Sequence, residues 1–172
     1  AGFRDWATAT PIVGRLKQLL GPQIALSQVH HNCVMTKQPA NSSLTSWHRD
    51  IRYWSFEREE LVSAWFALGP ERIENGCLLV LPGTHHMTLG SDRLDAAQFL
   101  RTEVAANAEL LRTQQAVELD AGDVLFFHCR LFHAAGSNRS LQTKFSPVFT
   151  YRALDNLPLS GSRSASLADI QL

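Results

Sequence analysis

Apolar residues recur at helical spacing in one early stretch. In "TPIVGRLKQLLG", Ile12, Leu16, Leu19 and Leu20 share a face, Pro11 suits a first turn and Gly21 a last one. The pattern predicts a helix over residues 10–21, capped by Thr10. Beyond it the texture changes. "QIALSQVHHNCVMTKQ" is rich in branched residues and reads as one or two strands, "PANSS" as a loop and "SWHRDIRYW" as a further strand. "ELVSAWFALG" fits helix or strand by period alone, and its β-rich flanks and the "PERIENG" turn favour strand. "GCLLVLPGTHH" reads as a short buried strand closed by a turn, with Gly76, Pro82 and Gly83 as turn formers. "AVELDAGDVLFFHCRLFHAAGSNRS" gives strand, tight turn, strand and loop, and "TKFSPVFTYRA" a final strand.

Two stretches depart from this texture. Residues 91–118, rich in Ala, Leu, Glu, Arg and Gln, predict a helical insertion, either a solvated amphipathic helix or part of a lid. Residues 156–172 are Ser-rich and polar and are expected to form a surface tail, partly without order. Many short strands behind one helix, with no internal repeat, predict a mainly β fold with flanking helices, of the sandwich or jelly-roll kind.

The 172 residues suffice for a single domain with a sizeable core, read here as spanning 1–172. The first residue is not Met, so the chain is expected to be an excerpt lacking part of its N-terminus; no signal peptide is read in its opening residues. Sixteen basic residues balance sixteen acidic ones, which gives no reason to expect nucleic acid or an anionic membrane as a partner. No apolar run approaches the roughly 20 residues a membrane span needs. The cysteines, Cys33, Cys77 and Cys129, are odd in number and far apart, which argues against a disulfide framework and fits a reducing, cytoplasmic setting.

Candidate chemistry begins at "SSLTSWHRDIRYW". On a strand, residues two apart point the same way, so His48 and Asp50 aim together and Arg49 away. An imidazole and a carboxylate make up two thirds of the 2-His-1-carboxylate set that holds Fe(II) with open positions. The third ligand must come from elsewhere among His30, His31, His85, His86, His128 and His133. His128 and His133 have opposite parity, so at most one faces the same cavity. His133, at a strand end before "AAGSN", is preferred; His85 and His86 read as solvent-facing or rim residues. A His-Asp hydrogen bond on a sheet face would be the bland alternative.

The blocks "HRDIRYWSF", "VSAWFAL", "NGCLLVLPGTHH" and "GDVLFFHCRLFHAAGSNRS", in that order, resemble the phytanoyl-CoA dioxygenase family of Fe(II)/2-oxoglutarate oxygenases, over roughly residues 20–153. The resemblance implies a double-stranded β-helix, a cupin-like jelly roll, with His48, Asp50 and His133 on the iron and with 2-oxoglutarate and O2 as cosubstrates. It implies hydroxylation of a C–H bond in a small-molecule substrate, with release of succinate and CO2. Asp50, where related halogenases carry a small residue, points to hydroxylation.

The same resemblance places Lys144, eleven residues beyond His133, where the family has an arginine for the distal carboxylate of 2-oxoglutarate, and Ala135 where it often has a serine. Lysine can neutralise that carboxylate but cannot make the bidentate fork. Arg139 and Arg152 are the fallback partners. Trp65, Cys33 and Asn32 are implied to line the cosubstrate pocket. Two other classes stay open: a metal- or ligand-binding jelly roll without turnover, and a cupin-type dioxygenase that needs no 2-oxoglutarate. A CoA thioester would favour a basic entrance, for which Lys37, Arg49, Arg52 and Arg58 are candidates.

Overall fold

The computed structural model of the chain describes residues 2–172. Two short helices, α1 (Phe3–Ala7) and α2 (Thr10–Leu20), lead into β1 (Ile24–Leu26), β2 (Cys33–Lys37) and β3 (Thr45–His48). β4 (Leu61–Phe66) and β5 (Leu78–Val80) come next, then α3 (Ala105–Arg112) and β6 (Gln115–Val117). β7 (Val124–His128), β8 (His133–Ala135), the long β9 (Lys144–Ala153) and β10 (Ile170–Gln171) complete the chain.

The strands form two antiparallel sheets. In one, β9 has β4 and then β7 on one side, and on the other β2 and β1 in tandem, with β10 on the outer edge of β1. The second runs β3-β8-β5-β6. Four strands of the larger sheet, β2-β9-β4-β7, stand opposite these four, which is the double-stranded β-helix that the family resemblance implies.

β4 shows why its apolar period was ambiguous. Val62 and Ala64 face outward into a cluster with Ala7, Leu16, Phe149 and Tyr151, beneath α1 and α2. Leu61, Ser63 and Trp65 face the interior between the sheets. A strand covered on both faces loses its alternation. The outer face of the second sheet is covered differently, by Trp47, Leu81 and Phe132 packing against Leu94, Leu100 and Leu110.

That second cluster corrects the expected helix over 91–118. Only Ala105–Arg112 is α-helical; Ser91–Arg93 is a 3-10 turn and Gln115–Val117 pairs with β5 as the last strand of its sheet. Burial of Leu94 and Leu100 against the sheet overrides helix propensity there. The tail is corrected as well. Asn156 is fully buried and binds backbone groups of Arg58 and Glu60, Ser164 Oγ accepts from the Ser55 amide, and β10 pairs with β1. At α2, Thr10 is the first helical residue instead of the cap, a position taken by Ala9. The strand expected through 46–54 stops at His48, and Asp50–Tyr53 turns as a 3-10 helix.

Candidate metal centre and its cavity

His48 ends β3 and His133 begins β8, and the two are direct cross-strand partners. The 3-10 turn after β3 brings Asp50 back beneath them. His48 Nε2 lies 3.8 Å and His133 Nε2 3.5 Å from Asp50 Oδ1. The ligand atoms of all three lie within 4.8 Å of one another, and no other such cluster occurs among the described residues. A divalent ion bonded at about 2.0–2.2 Å to imidazole nitrogen and carboxylate oxygen fits between donors at this spacing.

Each imidazole is held for the task. Nδ1 of His48 donates to the Ser46 carbonyl at 2.8 Å and Nδ1 of His133 to the Leu131 carbonyl at 3.0 Å. Those bonds put the proton on Nδ1 and leave the Nε2 lone pair facing Asp50. Burial pulls the pKa of both histidines down to about 4, assisted at His48 by its neighbour His133, so both are neutral near pH 7, as ligation demands. Asp50 is 2% exposed, and burial raises its carboxyl above the usual range, against the pull of His31 and His48. A buried carboxylate lacking a strong cationic partner is what a bound cation would satisfy.

Two further residues flank Asp50. Ser63 Oγ donates to Oδ2 at 3.3 Å, and His31 Nδ1 lies 3.5 Å from the same oxygen. His31 has a left-handed backbone (φ 42°), uncommon for a side chain of its size, and its ring packs edge-on to Trp54. Phe99, from the segment packed on the second sheet, lies 5.9 Å from the His48 ring.

The centre opens on a cavity of about 320 Å³. His31, Lys37, Trp65, Phe127 and Lys144 are among its walls, and Asn41, Ser42 and Ser43 lie around it. Lys144 is there, as the resemblance implies, but it is not free. Its Nζ donates to Glu71 Oε2 at 2.9 Å, and Trp65 Nε1 and Ser146 Oγ donate to Glu71 Oε1 at 2.8 and 2.5 Å. Glu71 is fully buried.

Asn32 and Cys33 do not line this cavity. They face a separate hollow with Phe3, Leu26 and Phe149, and Asn32 Nδ2 donates to the Ser27 carbonyl. Cys33 and Lys37 share strand parity at opposite ends of β2, so distance along the strand separates them: Cys33 lies at the end beside the second hollow and Lys37 at the end beside the cavity. Arg152 is spent on Asp169, 2.6 Å away, and Arg139 is exposed in its loop; neither lines the cavity. Arg49 leans over Phe132 on the far side of the sheet, and His128 faces outward beside His85. Ser63 and Glu71 were given no role at this site by the sequence; His31 stood only among the candidate third ligands and Lys37 only at a basic entrance. For Glu71 the one available signal was an acidic residue between a proline and an arginine in a turn.

Two facing antiparallel sheets carrying a His-x-Asp pair and a distant histidine define a double-stranded β-helix with three donors grouped so that they could hold one metal ion. The chain belongs to the phytanoyl-CoA dioxygenase family, whose family model, described as phytanoyl-CoA dioxygenase (PhyH), matches residues 2–146. Peroxisomal phytanoyl-CoA dioxygenase of Homo sapiens is 31% identical over 147 residues, covering 78% of this chain and 41% of the human protein. The chain thus spans about two fifths of the length of such relatives. Among solved structures, the apo form of the non-heme monooxygenase ThoJ superposes with a TM-score of 0.78 at 20% identity, over 98% of this chain and 60% of that one. The non-heme alpha ketoglutarate dependent carbocyclase SnoK gives 0.71 at 22% identity, over 98% and 70%. These two likenesses establish the fold.

Proposed function

We propose that this chain is an Fe(II)- and 2-oxoglutarate-dependent dioxygenase that hydroxylates a C–H bond of a small molecule. One observation carries the reading: two neutral imidazoles and one carboxylate, from a strand end, a turn and a strand start, converge on one point at the wall of a cavity that also holds a cationic side chain. Membership of the phytanoyl-CoA dioxygenase family and the alpha ketoglutarate dependence of SnoK support the same reading.

His48, Asp50 and His133 would hold the Fe(II), which would supply the oxygen chemistry with 2-oxoglutarate and O2. The protein's share is placement and exclusion. The Ser46 and Leu131 carbonyls hold both rings in the tautomer that presents Nε2. Ser63 occupies Oδ2 of Asp50 and leaves Oδ1, the oxygen beside both Nε2 atoms, as the one that would bind the ion. Phe127, 5.1 Å from the His133 ring, and Phe99 limit water around the ligands. A carboxylate at Asp50, where the resemblance gives halogenases a small residue, would leave a halide no place on the ion and favours hydroxylation.

The test is iron-dependent formation of succinate from 2-oxoglutarate by the purified protein, which continues slowly without a prime substrate. His48→Ala and Asp50→Ala should abolish both metal binding and succinate formation. Metal binding without succinate would leave a binding protein, and O2 uptake indifferent to 2-oxoglutarate a dioxygenase of another kind.

A further inference from the structure

The proposed function needs a cation for the distal carboxylate of 2-oxoglutarate, and the cavity wall offers two, Lys37 and Lys144. They are direct cross-strand partners on β2 and β9, so both ammonium groups enter the cavity from the same region. Their surroundings differ. Lys144 and Glu71 form an ion pair 5% and 0% exposed, with both carboxylate oxygens of Glu71 engaged by donors from Lys144, Trp65 and Ser146. A second carboxylate brought to Lys144 would sit against the first. Like charges that close in a dry site cannot both stay ionised cheaply. Glu71 already fills the acceptor place a ligand's carboxylate would take.

Lys37 has no carboxylate partner among the described residues. Its Nζ gives one hydrogen bond, to the Ser43 carbonyl at 2.8 Å, which leaves ammonium protons for a ligand. Its position is also fixed. Asn138 Nδ2 donates to its carbonyl, and its stem lies over Gly76, where a Cβ would come 2.8 Å from Lys37 Cδ. Charge agrees as well: a dianionic 2-oxoglutarate is matched by a divalent ion, the Asp50 carboxylate and one free ammonium, and the Glu71–Lys144 pair adds nothing.

We propose that Lys37, and not Lys144, pairs with the distal carboxylate of 2-oxoglutarate, while Glu71 holds Lys144 as an internally neutralised part of the wall. This rests on the 2-oxoglutarate reading above and assigns the specificity for a dicarboxylate to a side chain on β2.

Binding separates the possibilities without turnover. Under anaerobic conditions, 2-oxoglutarate and pyruvate, which lacks the distal carboxylate, are titrated calorimetrically into the Mn(II)-loaded protein, with Mn(II) occupancy followed by electron paramagnetic resonance. The wild type should prefer 2-oxoglutarate by about tenfold or more, the scale of a charge-assisted hydrogen bond. Lys37→Met should erase that preference while retaining Mn(II). The paired variant Glu71→Gln/Lys144→Met, which leaves no buried charge alone, should keep it within about twofold. The proposal is overturned if Lys37→Met still prefers 2-oxoglutarate, or if the paired variant loses the preference. A wild type that holds Mn(II) but does not distinguish the two acids overturns it while sparing the metal centre. A wild type that binds no Mn(II) overturns the metal reading itself.

Discussion

His48 and His133 face each other directly across β3 and β8, their rings 4.3 Å apart. The spacing of two ligands is therefore a property of strand register. A slip by one residue on either strand would turn one imidazole to the opposite face. The irregularity in β3 between Thr45 and His48 lies just before the ligand.

Asp50 separates binding from folding. Asp50→Asn removes the anionic ligand and also the cost of burying an uncompensated charge. The variant should lose its thermal response to Mn(II) yet melt, without metal, no lower than the wild type. The wild type should gain about 2.7 kcal/mol at an ion concentration a hundred times its Kd. Paired thermal melts with and without Mn(II) measure both. A metal-free variant melting far below the wild type would mean that Asp50 is held by partners other than an ion.

The histidines give the metal-free protein an acid limit. Burial lowers the pKa of His30, His48 and His133 from 6.5 to about 4. Between those values the unfolded chain binds protons at these sites that the folded one does not, so stability rises with pH across the window. It should be fully present above about pH 6.5 and fall as pH drops toward 4. Asp50, with its folded pKa raised, works against this trend over part of the range, but as one group against three. Denaturant midpoints of the metal-free protein between pH 7 and 4 give the slope; a flat profile would contradict it.

Removing Glu71 alone strands Lys144. Glu71→Ala leaves a lysine 7% exposed without its counter-charge and should cost about 3–5 kcal/mol. Glu71→Gln combined with Lys144→Met should recover most of that loss. A double-mutant cycle by chemical denaturation reports the coupling, and additive effects would show that the pair is not a unit.

Gly76→Ala tests the wall of the cavity. Gly76 has a φ of 77°, and a Cβ there would lie 2.5 Å from the Gly136 carbonyl oxygen. The substitution should destabilise the fold by about 1–3 kcal/mol, and the shift it forces on Lys37 should weaken 2-oxoglutarate binding while Mn(II) binding persists. Calorimetry on both ligands checks it.

Strand texture was legible because it depends on local period. The fold class follows from the many short strands, whereas the grouping of 48, 50 and 133 was carried by the family blocks: the parity argument fails, because Asp50 lies in a 3-10 turn and His128 and His133 on different strands. What escaped depends on distant contacts. Leu94 and Leu100 sit in a helix-prone composition, yet Trp47 and Phe132 hold them in irregular backbone; the Leu100 amide even donates to the Trp47 carbonyl. Asn156 looks like any polar tail residue until its three bonds to the 58–60 segment are seen. Lys144 has the right offset from His133, but no local feature announces that Glu71, on another loop, has claimed it.

The two-residue strand β10 bears on how the molecule behaves in a crowd. β1 would otherwise present a row of bare amide and carbonyl groups, the template on which a neighbouring chain can add itself as a strand. With Ile170 and Gln171 laid along it, that border is reduced to a stub too short to template anything. The polar tail thus acts as a guard against self-association, and its loss should show first in light scattering, before any change at the distant metal ligands.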